Sequence, residues 1–74
     1  MKWHDVSKLK SGAVVGRFTR RGVLVSILIV LERPRRDSNF GELLRARCFD
    51  LMGAELRMTD QHELADCDPI SGRN

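Results

Sequence analysis

The sequence predicts a small all-β domain, and three observations support that prediction. An apolar run at residues 23–31 is rich in β-branched residues and contains one polar residue, Ser26, so it favours a strand. The run is far shorter than the ~20 residues of a membrane-spanning helix. Residues 55–59 alternate polar and apolar side chains, as a half-buried strand does. Turn-forming residues separate these segments, namely Gly12, Gly22, Pro34 and Gly53.

The chain of 74 residues has room for one domain. We expect a lead-in at residues 1–10, a small barrel at residues 11–68 and a C-terminal tail at residues 69–74. The start of the sequence shows no secretory signal, so an intracellular product is expected. Cys48 and Cys67 are too few for a disulfide scaffold and are expected to be reduced thiols.

The first half of the barrel is predicted as a hairpin followed by a polar loop. Residues 13–20 form the first strand, and the turn at Gly22 leads into the strand at residues 23–31. Pro34 ends that strand because proline lacks the N–H that a sheet ladder requires. Residues 33–39 then form a solvated loop, which is a natural place for contacts with a partner.

Both faces of the second strand are apolar, and a chain this short covers two such faces only with difficulty. We expect one face to fill the barrel and the other to form an exposed patch that marks a protein interface. The alternative is that the lead-in covers this second face. The predicted interior residues are Val23, Val25, Ile27, Ile29 and Leu31, and the predicted exposed residues are Leu24, Leu28 and Val30.

Residues 42–50 carry two patterns, and the choice between them is open at this point. As a helix, the apolar residues recur at helical spacing between a cap at Asn39 and a stop at Gly53. As a strand, the segment pairs with residues 55–59 through a hairpin, and the alternation of that second segment favours this choice. In the hairpin, Glu55 pairs with two arginines, Arg45 and Arg47.

The last part of the barrel is predicted as a short turn and a final strand. Asp60 and Glu63 form a D-x-x-E capping box, which predicts a helical or 3₁₀ turn at residues 60–64 with Leu64 in the core. Residues 65–68 are predicted as the last short strand.

The order of these elements matches a recurring pattern: a strand led by Gly12, a long apolar strand opened by Gly22, a basic loop, a third strand, a hairpin at Gly53, a fourth strand and the pair Glu63-Leu64. The pattern resembles small SH3-like barrels, in particular short ones encoded by tailed phages, over about residues 11–68. The resemblance implies an all-β, five-stranded SH3-like barrel with a short 3₁₀ or helical turn near residues 60–64. Proline-rich ligands are not expected, because the sequence contains no tyrosine and Trp3 lies outside the barrel.

Positive charge is concentrated in the first half of the chain. Residues 1–36 contain nine Lys and Arg against two carboxylates, a net charge of +7, whereas residues 37–74 contain four Arg against eight carboxylates, a net charge of −4. Concentrated guanidinium groups bind phosphates or an acidic protein surface. The loop contributes the candidate contacts Arg33, Arg35 and Arg36, and the first hairpin contributes Arg17, Arg20 and Arg21 if the two regions lie near one another.

Catalysis and metal binding find little support in the sequence. His62 beside Glu63 suggests acid–base chemistry, but such a pair needs a pocket that a chain this short hardly provides. Cys48 and Cys67 are not spaced like zinc ligands, and no cofactor motif is present. The sequence therefore predicts no enzyme, no cofactor and no metal site.

We therefore expect a non-enzymatic interaction module with protein partners in a larger assembly. The resemblance suggests a minor virion component of a phage, such as a cement, connector or tail-associated subunit. The alternative is a small basic nucleic-acid-binding or transcription-associated barrel. The expected location is the virion or the bacterial cytoplasm, with neither a membrane nor a small-molecule substrate as partner. The candidate docking residues are Leu24, Leu28, Val30, Arg33, Arg35 and Arg36.

Overall fold

The computed structural model describes residues 1–71 and consists mostly of β-strands, which confirms the all-β class. Two 3₁₀ helices and one short α-helix accompany the strands. The 3₁₀ helices span Trp3–Lys8 and Ser38–Phe40, and α1 spans Gln61–Ala65. The strands are β1 (Val14–Phe18), β2 (Leu24–Val30), β3 (Arg35–Arg36), β4 (Leu44–Asp50), β5 (Glu55–Asp60) and β6 (Asp68–Ser71).

All six strands belong to one antiparallel sheet. β2 lies between β1 and β4, β6 pairs with the other edge of β1, and β5 pairs with β4. The two-residue strand β3 also pairs with β4. Within residues 1–71 no ladder joins β5 to β6, so the sheet is open where a closed barrel was expected. The helix α1 leads the chain from the end of β5 towards β6.

The first hairpin forms close to the predicted positions. At its turn, the Gly22 N–H donates to the carbonyl of Thr19 at 2.9 Å, and the Thr19 N–H donates to the carbonyl of Val23 at 2.8 Å. Gly22 has a φ of +84°, which glycine adopts without a steric penalty. The turn therefore explains why glycine stands at this position.

The predicted loop at residues 33–39 is more ordered than expected. β2 ends before Pro34, as predicted, but the sheet resumes in β3 directly after the proline. A proline removes only its own backbone donor, so a ladder can restart at the next residue. Asp37 caps the following 3₁₀ helix, because its carboxylate accepts the N–H of Asn39 at 2.9 Å.

Residues 44–50 form a strand, so the strand interpretation is confirmed and the helical alternative is wrong. At the β4–β5 turn, the Asp50 carboxylate accepts the N–H groups of Met52 and Gly53, both at 3.0 Å. The predicted pairing of Arg45 and Arg47 with Glu55 is also wrong. The turn places Glu55 opposite Asp50 and sets the two arginines opposite residues further along β5.

The Asp60 half of the predicted capping box is confirmed, whereas the Glu63 carboxylate accepts hydrogen bonds from Arg57. The Asp60 carboxylate accepts the N–H of Glu63 at 3.0 Å, and Leu64 is fully buried. The final strand lies at Asp68–Ser71 rather than at residues 65–68, because α1 and its C-terminal turn occupy the chain up to residue 66. The predicted tail therefore begins too early, and only its residues 72–74 lie outside the described part of the chain.

The core lies between the inner face of the sheet and the two helical segments of residues 3–8 and 61–65. The Gln61 side chain ties these parts together, since its amide accepts the N–H of Leu44 at 3.1 Å and donates to the carbonyl of Trp3 at 3.2 Å. The α-amino group of Met1 donates to the carbonyl of Ala65 at 2.9 Å. The buried apolar residues are Val6, Leu9, Val15, Leu28, Val30, Ala46, Cys48, Leu64 and Cys67.

The two faces of β2 are the reverse of those predicted. Leu28 and Val30, expected at the surface, are fully buried, whereas Val23 and Val25, expected inside, are exposed. The reason is the position of the cover: the lead-in and α1 pack on the face that carries Leu28, together with Val15 of the neighbouring strand.

Candidate functional site

An apolar row crosses the outer face of the sheet. The strand registers place Val14 opposite Ile29, Ile29 opposite Phe49, and Phe49 opposite Leu56, so these four side chains share one face of four neighbouring strands. Val14, Ile29 and Phe49 are partly buried, and Leu56 is 59% exposed. Neither the 3₁₀ helix at residues 3–8 nor α1 covers this face, because both pack on the other one.

Further apolar residues widen this row. Gly16 lies opposite Ile27 and has no side chain of its own, so the side chains of Ile70 and Leu24 lie against its backbone. Leu24 is therefore partly buried, and the bulge between the pairs Arg17–Ser26 and Phe18–Leu24 accounts for its departure from the predicted alternation. Together these residues form the apolar patch, which consists of Val14, Ile27, Ile29, Phe49, Leu56, Met58 and Ile70.

The expectation of a second, exposed apolar face is thus met mostly by other residues than those predicted, since only Leu24 of the three lies beside the patch. Leu28 and Val30 cannot contact a partner while the core is intact, because their side chains have no exposed surface. Ile27 and Ile29, their neighbours in the chain, are partly exposed on the outer face. The period of two along a strand means that an error of one residue moves every side chain to the opposite face.

An arginine groove continues the outer face beyond the apolar patch. β4 presents Arg45, Arg47 and Phe49 at alternate positions, so the basic and apolar regions are neighbours on one strand. The groove has a volume of about 450 Å³ and is also lined by Met58 of the patch. Its charged lining consists of five arginines and two carboxylate residues, namely Arg33, Arg35, Arg36, Arg45 and Arg47 with Glu32 and Asp37.

The groove brings together the three predicted loop arginines and adds Arg45 and Arg47, which were expected to pair with Glu55. Arg35 stands directly opposite Arg45 in the β3–β4 ladder, so these two positively charged side chains are cross-strand neighbours. Like charges at such a pair oppose one another. No local pattern in the sequence relates the two strands, because their pairing depends on a ladder that restarts after Pro34.

The arginines of the first hairpin do not join the groove. Arg20 and Arg21 lie at the turn that opens β2, and Arg33 follows its end. Seven residues of extended strand separate the two regions by roughly 20 Å, at about 3.3 Å for each residue. The condition that the two regions lie near one another is therefore not met, and the basic half of the chain presents two separate groups of charge.

A second charged cluster has a structural role at the β4–β5 turn. The Arg57 guanidinium donates to both carboxylate oxygens of Glu63 and, at 3.2 Å, to the Asp50 carboxylate. Backbone donors at the turn, above all that of Gly53, and the Arg57 guanidinium hold the pKa of Asp50 below its usual value. Because Glu63 belongs to α1, the cluster fastens the turn to the helix that covers the core.

The two thiols are buried, and His62 packs against an aromatic ring. Burial is the main cause that raises the pKa of Cys48, and it raises the pKa of Cys67 to about 11, so both thiols stay protonated at neutral pH. The structure holds both cysteines as free thiols. His62 is exposed and packs against Trp3, with 5.1 Å between the ring centroids.

No group of three His, Cys, Asp or Glu side chains among residues 1–71 is arranged to hold a metal ion. No helix in the same part of the chain is long and apolar enough to cross a membrane.

Comparisons with known proteins add no relative. The chain matches no family model, no curated protein and no solved structure.

Proposed function

We propose that the protein is a non-enzymatic interaction module that joins a larger protein assembly through its apolar patch. The observation that carries the proposal is the row from Val14 to Leu56, which crosses four strands without a charged side chain. Apolar patches that extend over several neighbouring residues are uncommon on proteins that stay monomeric, and they mark interaction surfaces. The centre of a stable interface is likewise depleted of charge.

The fold of the module, in this proposal, is a small SH3-like barrel. The support is the order of elements: a meander of long strands, a short helix after β5, and a last strand that returns to the edge of β1. A role in a phage virion, as a cement, connector or tail-associated subunit, is the narrower form of the proposal and depends on the resemblance of the sequence alone.

The partner in this proposal is an uncharged, apolar surface of another protein subunit. Partly buried side chains such as Ile29 and Phe49 lose little conformational entropy on docking, because the sheet already holds them in place. The exposed Leu56 at the edge strand offers the largest gain on burial. Its replacement by aspartate places a charge inside the interface without removing a core contact.

Sedimentation of the protein from its native lysate tests the proposal. Wild type is expected to migrate with a large particle that survives nuclease and moderate salt. Leu56→Asp is expected to sediment as free protein, whereas the matched control Val23→Asp, at a residue of nearly equal exposure in the first hairpin turn, stays with the particle. Free wild-type protein under all conditions, or a Leu56→Asp variant that stays with the particle, would contradict the proposal.

A further inference from the structure

The arginine groove concentrates like charges on two neighbouring strands. Part of this charge is offset within the protein, because Glu32 and Asp37 also line the groove and Arg45 stands opposite Asp60 of β5. Arg35 and Arg45 are direct cross-strand partners, and a pair of like charges at such positions destabilises a sheet. Arg33 and Arg47 line the same groove and add to the repulsion. The arrangement suggests an external anion as the group that balances this charge.

The carboxylates of the chain leave most of this charge uncompensated. Among residues 1–71, no carboxylate lies within ion-pair distance of Arg33, Arg35 or Arg47. Arg36 pairs with Glu42 at 3.6 Å, but both side chains are largely exposed, so the pair contributes little. The groove therefore presents at least three guanidinium groups to a ligand.

The composition of the groove identifies the ligand class. All five of its cations are arginine, whose planar fork binds a phosphate through two parallel hydrogen bonds. A protein surface would need to crowd several carboxylates to match this density of charge, whereas a duplex carries one phosphate for each ~1.7 Å of its axis. No aromatic residue lines the groove in the described part of the chain, so base stacking is not available there.

We propose that the arginine groove binds the phosphate backbone of double-stranded nucleic acid without reading its sequence. The ligand lies along β3 and the first half of β4, with Arg33, Arg35 and Arg47 as direct phosphate contacts. This site does not rest on the protein-docking function, although the two are compatible: the apolar patch faces a subunit, and the groove beside it faces nucleic acid.

Binding to a fluorescent 20-base-pair DNA duplex, measured by anisotropy over a series of salt concentrations, tests the site. With three or four phosphate contacts, the slope of log K against log salt is expected to be about −3, at roughly −0.9 for each phosphate. The double variant Arg35→Gln and Arg47→Gln is expected to bind at least about 10-fold more weakly at low salt and to lower the magnitude of the slope by about 2. Two duplexes of unrelated sequence are expected to give the same affinity.

The matched control is the double variant Arg20→Gln and Arg21→Gln, which removes the same charge from the exposed hairpin turn at the other end of β2. It is expected to keep the wild-type slope and an affinity within about 3-fold of wild type, since its arginines make no phosphate contact in the proposed complex. The groove variant relieves repulsion between Arg35 and Arg45, so its melting temperature is expected to be no lower than that of wild type.

Equal losses in the two double variants would overturn the proposal, because binding would then depend on net charge alone. An absence of duplex binding at low salt, together with groove-dependent binding of poly-L-glutamate, would also overturn it in favour of an acidic protein surface. The variant Leu56→Asp separates the two proposals: it is expected to release the protein from its assembly while affecting duplex affinity less than the groove variant does.

Discussion

The inner and outer faces of the sheet are both apolar, but only one of them is covered. On the inner face, Val15, Leu28 and Val30 are fully buried beneath the lead-in and α1. On the outer face, Ile29 and Phe49 are partly exposed, and the two helical segments that cover the core lie on the opposite side. The difference shows that the composition of a strand does not decide its burial in a protein this small. The position of the few residues outside the sheet decides it.

Arginine side chains also have different surroundings on the two faces. Arg57, on the inner side at the β4–β5 turn, has two carboxylate partners within the chain. The outer groove holds three arginines that have no carboxylate partner among residues 1–71. Paired charge stabilises the fold, and unpaired charge of one sign is suited to an external ligand. The same residue type thus has a structural role on one face and a binding role on the other.

The largest expected effect is a difference in stability between variants of two neighbouring residues that lie on opposite faces of β2. Leu28→Ala opens a cavity in the core and is expected to lower the free energy of unfolding by about 2–5 kcal/mol. Ile29→Ala removes a partly exposed side chain and is expected to cost about 1 kcal/mol in the isolated protein. Urea unfolding of both variants measures the difference, and equal losses would mean that the faces are wrongly assigned.

A smaller effect on stability is expected from breaking the ion pairs of Arg57 and of Arg36. Arg57→Leu removes a guanidinium that bridges Asp50 and Glu63 and is expected to cost about 1–2 kcal/mol of unfolding free energy, after allowance for its partial exposure. Arg36→Leu breaks the exposed pair with Glu42 and is expected to change stability by less than about 0.5 kcal/mol. The comparison fails if the two variants unfold at the same urea concentration.

The Asp50 turn predicts a dependence on pH. The folded-state pKa of Asp50 lies below 3.8, so its contribution to stability is fully present above about pH 3.8 and is lost as the pH falls through the folded-state pKa. The difference in stability between wild type and Asp50→Asn is therefore expected to be constant near neutral pH and to shrink below pH 3.8. Urea titrations from pH 7 to pH 2.5 measure it. If the difference in stability grew on acidification, the pKa of Asp50 would be raised by folding and the prediction would be wrong.

The smallest expected effect concerns the turn that sets Phe49 opposite Leu56. Ala54 has a φ of +53°, in the left-handed region that an alanine side chain disfavours. Ala54→Gly is expected to raise the free energy of unfolding by about 0.5–1 kcal/mol, because glycine reaches this conformation without a steric penalty. Thermal melts detect such a change, and a loss of stability would show that the backbone strain is not relieved.

Much of the fold follows from local signals in the sequence. The hairpin at Gly22, the break at Pro34 and the cap at Asp60 each depend on a residue whose backbone chemistry suits one position. The strand at residues 44–50 was harder to predict, because its apolar residues also fit a helix. Its alternating neighbour, the segment that forms β5, decided the choice correctly.

The candidate site was only partly predictable. The run at residues 23–31 contains one polar residue, Ser26, which lies near the start of β2 on the same side as Leu28 and Val30. A single polar position therefore points to the wrong exposed face. The joining of Arg33 and Arg35 with Arg45 and Arg47 depends on a ladder that restarts after a proline, a long-range register that no local pattern encodes.

The reactivity of three thiols tests the central claim most directly, namely that β4 and β5 present a docking surface opposite to the core. Cys48 and Cys67 lie in the core, and Leu56→Cys places a third thiol on the outer face. The introduced thiol is expected to react with a maleimide within minutes in the isolated protein and to be protected in the sedimenting particle, while the two native thiols stay unreactive in both. Equal reactivity of the introduced thiol in both states, or a native thiol that reacts as fast, would contradict the account.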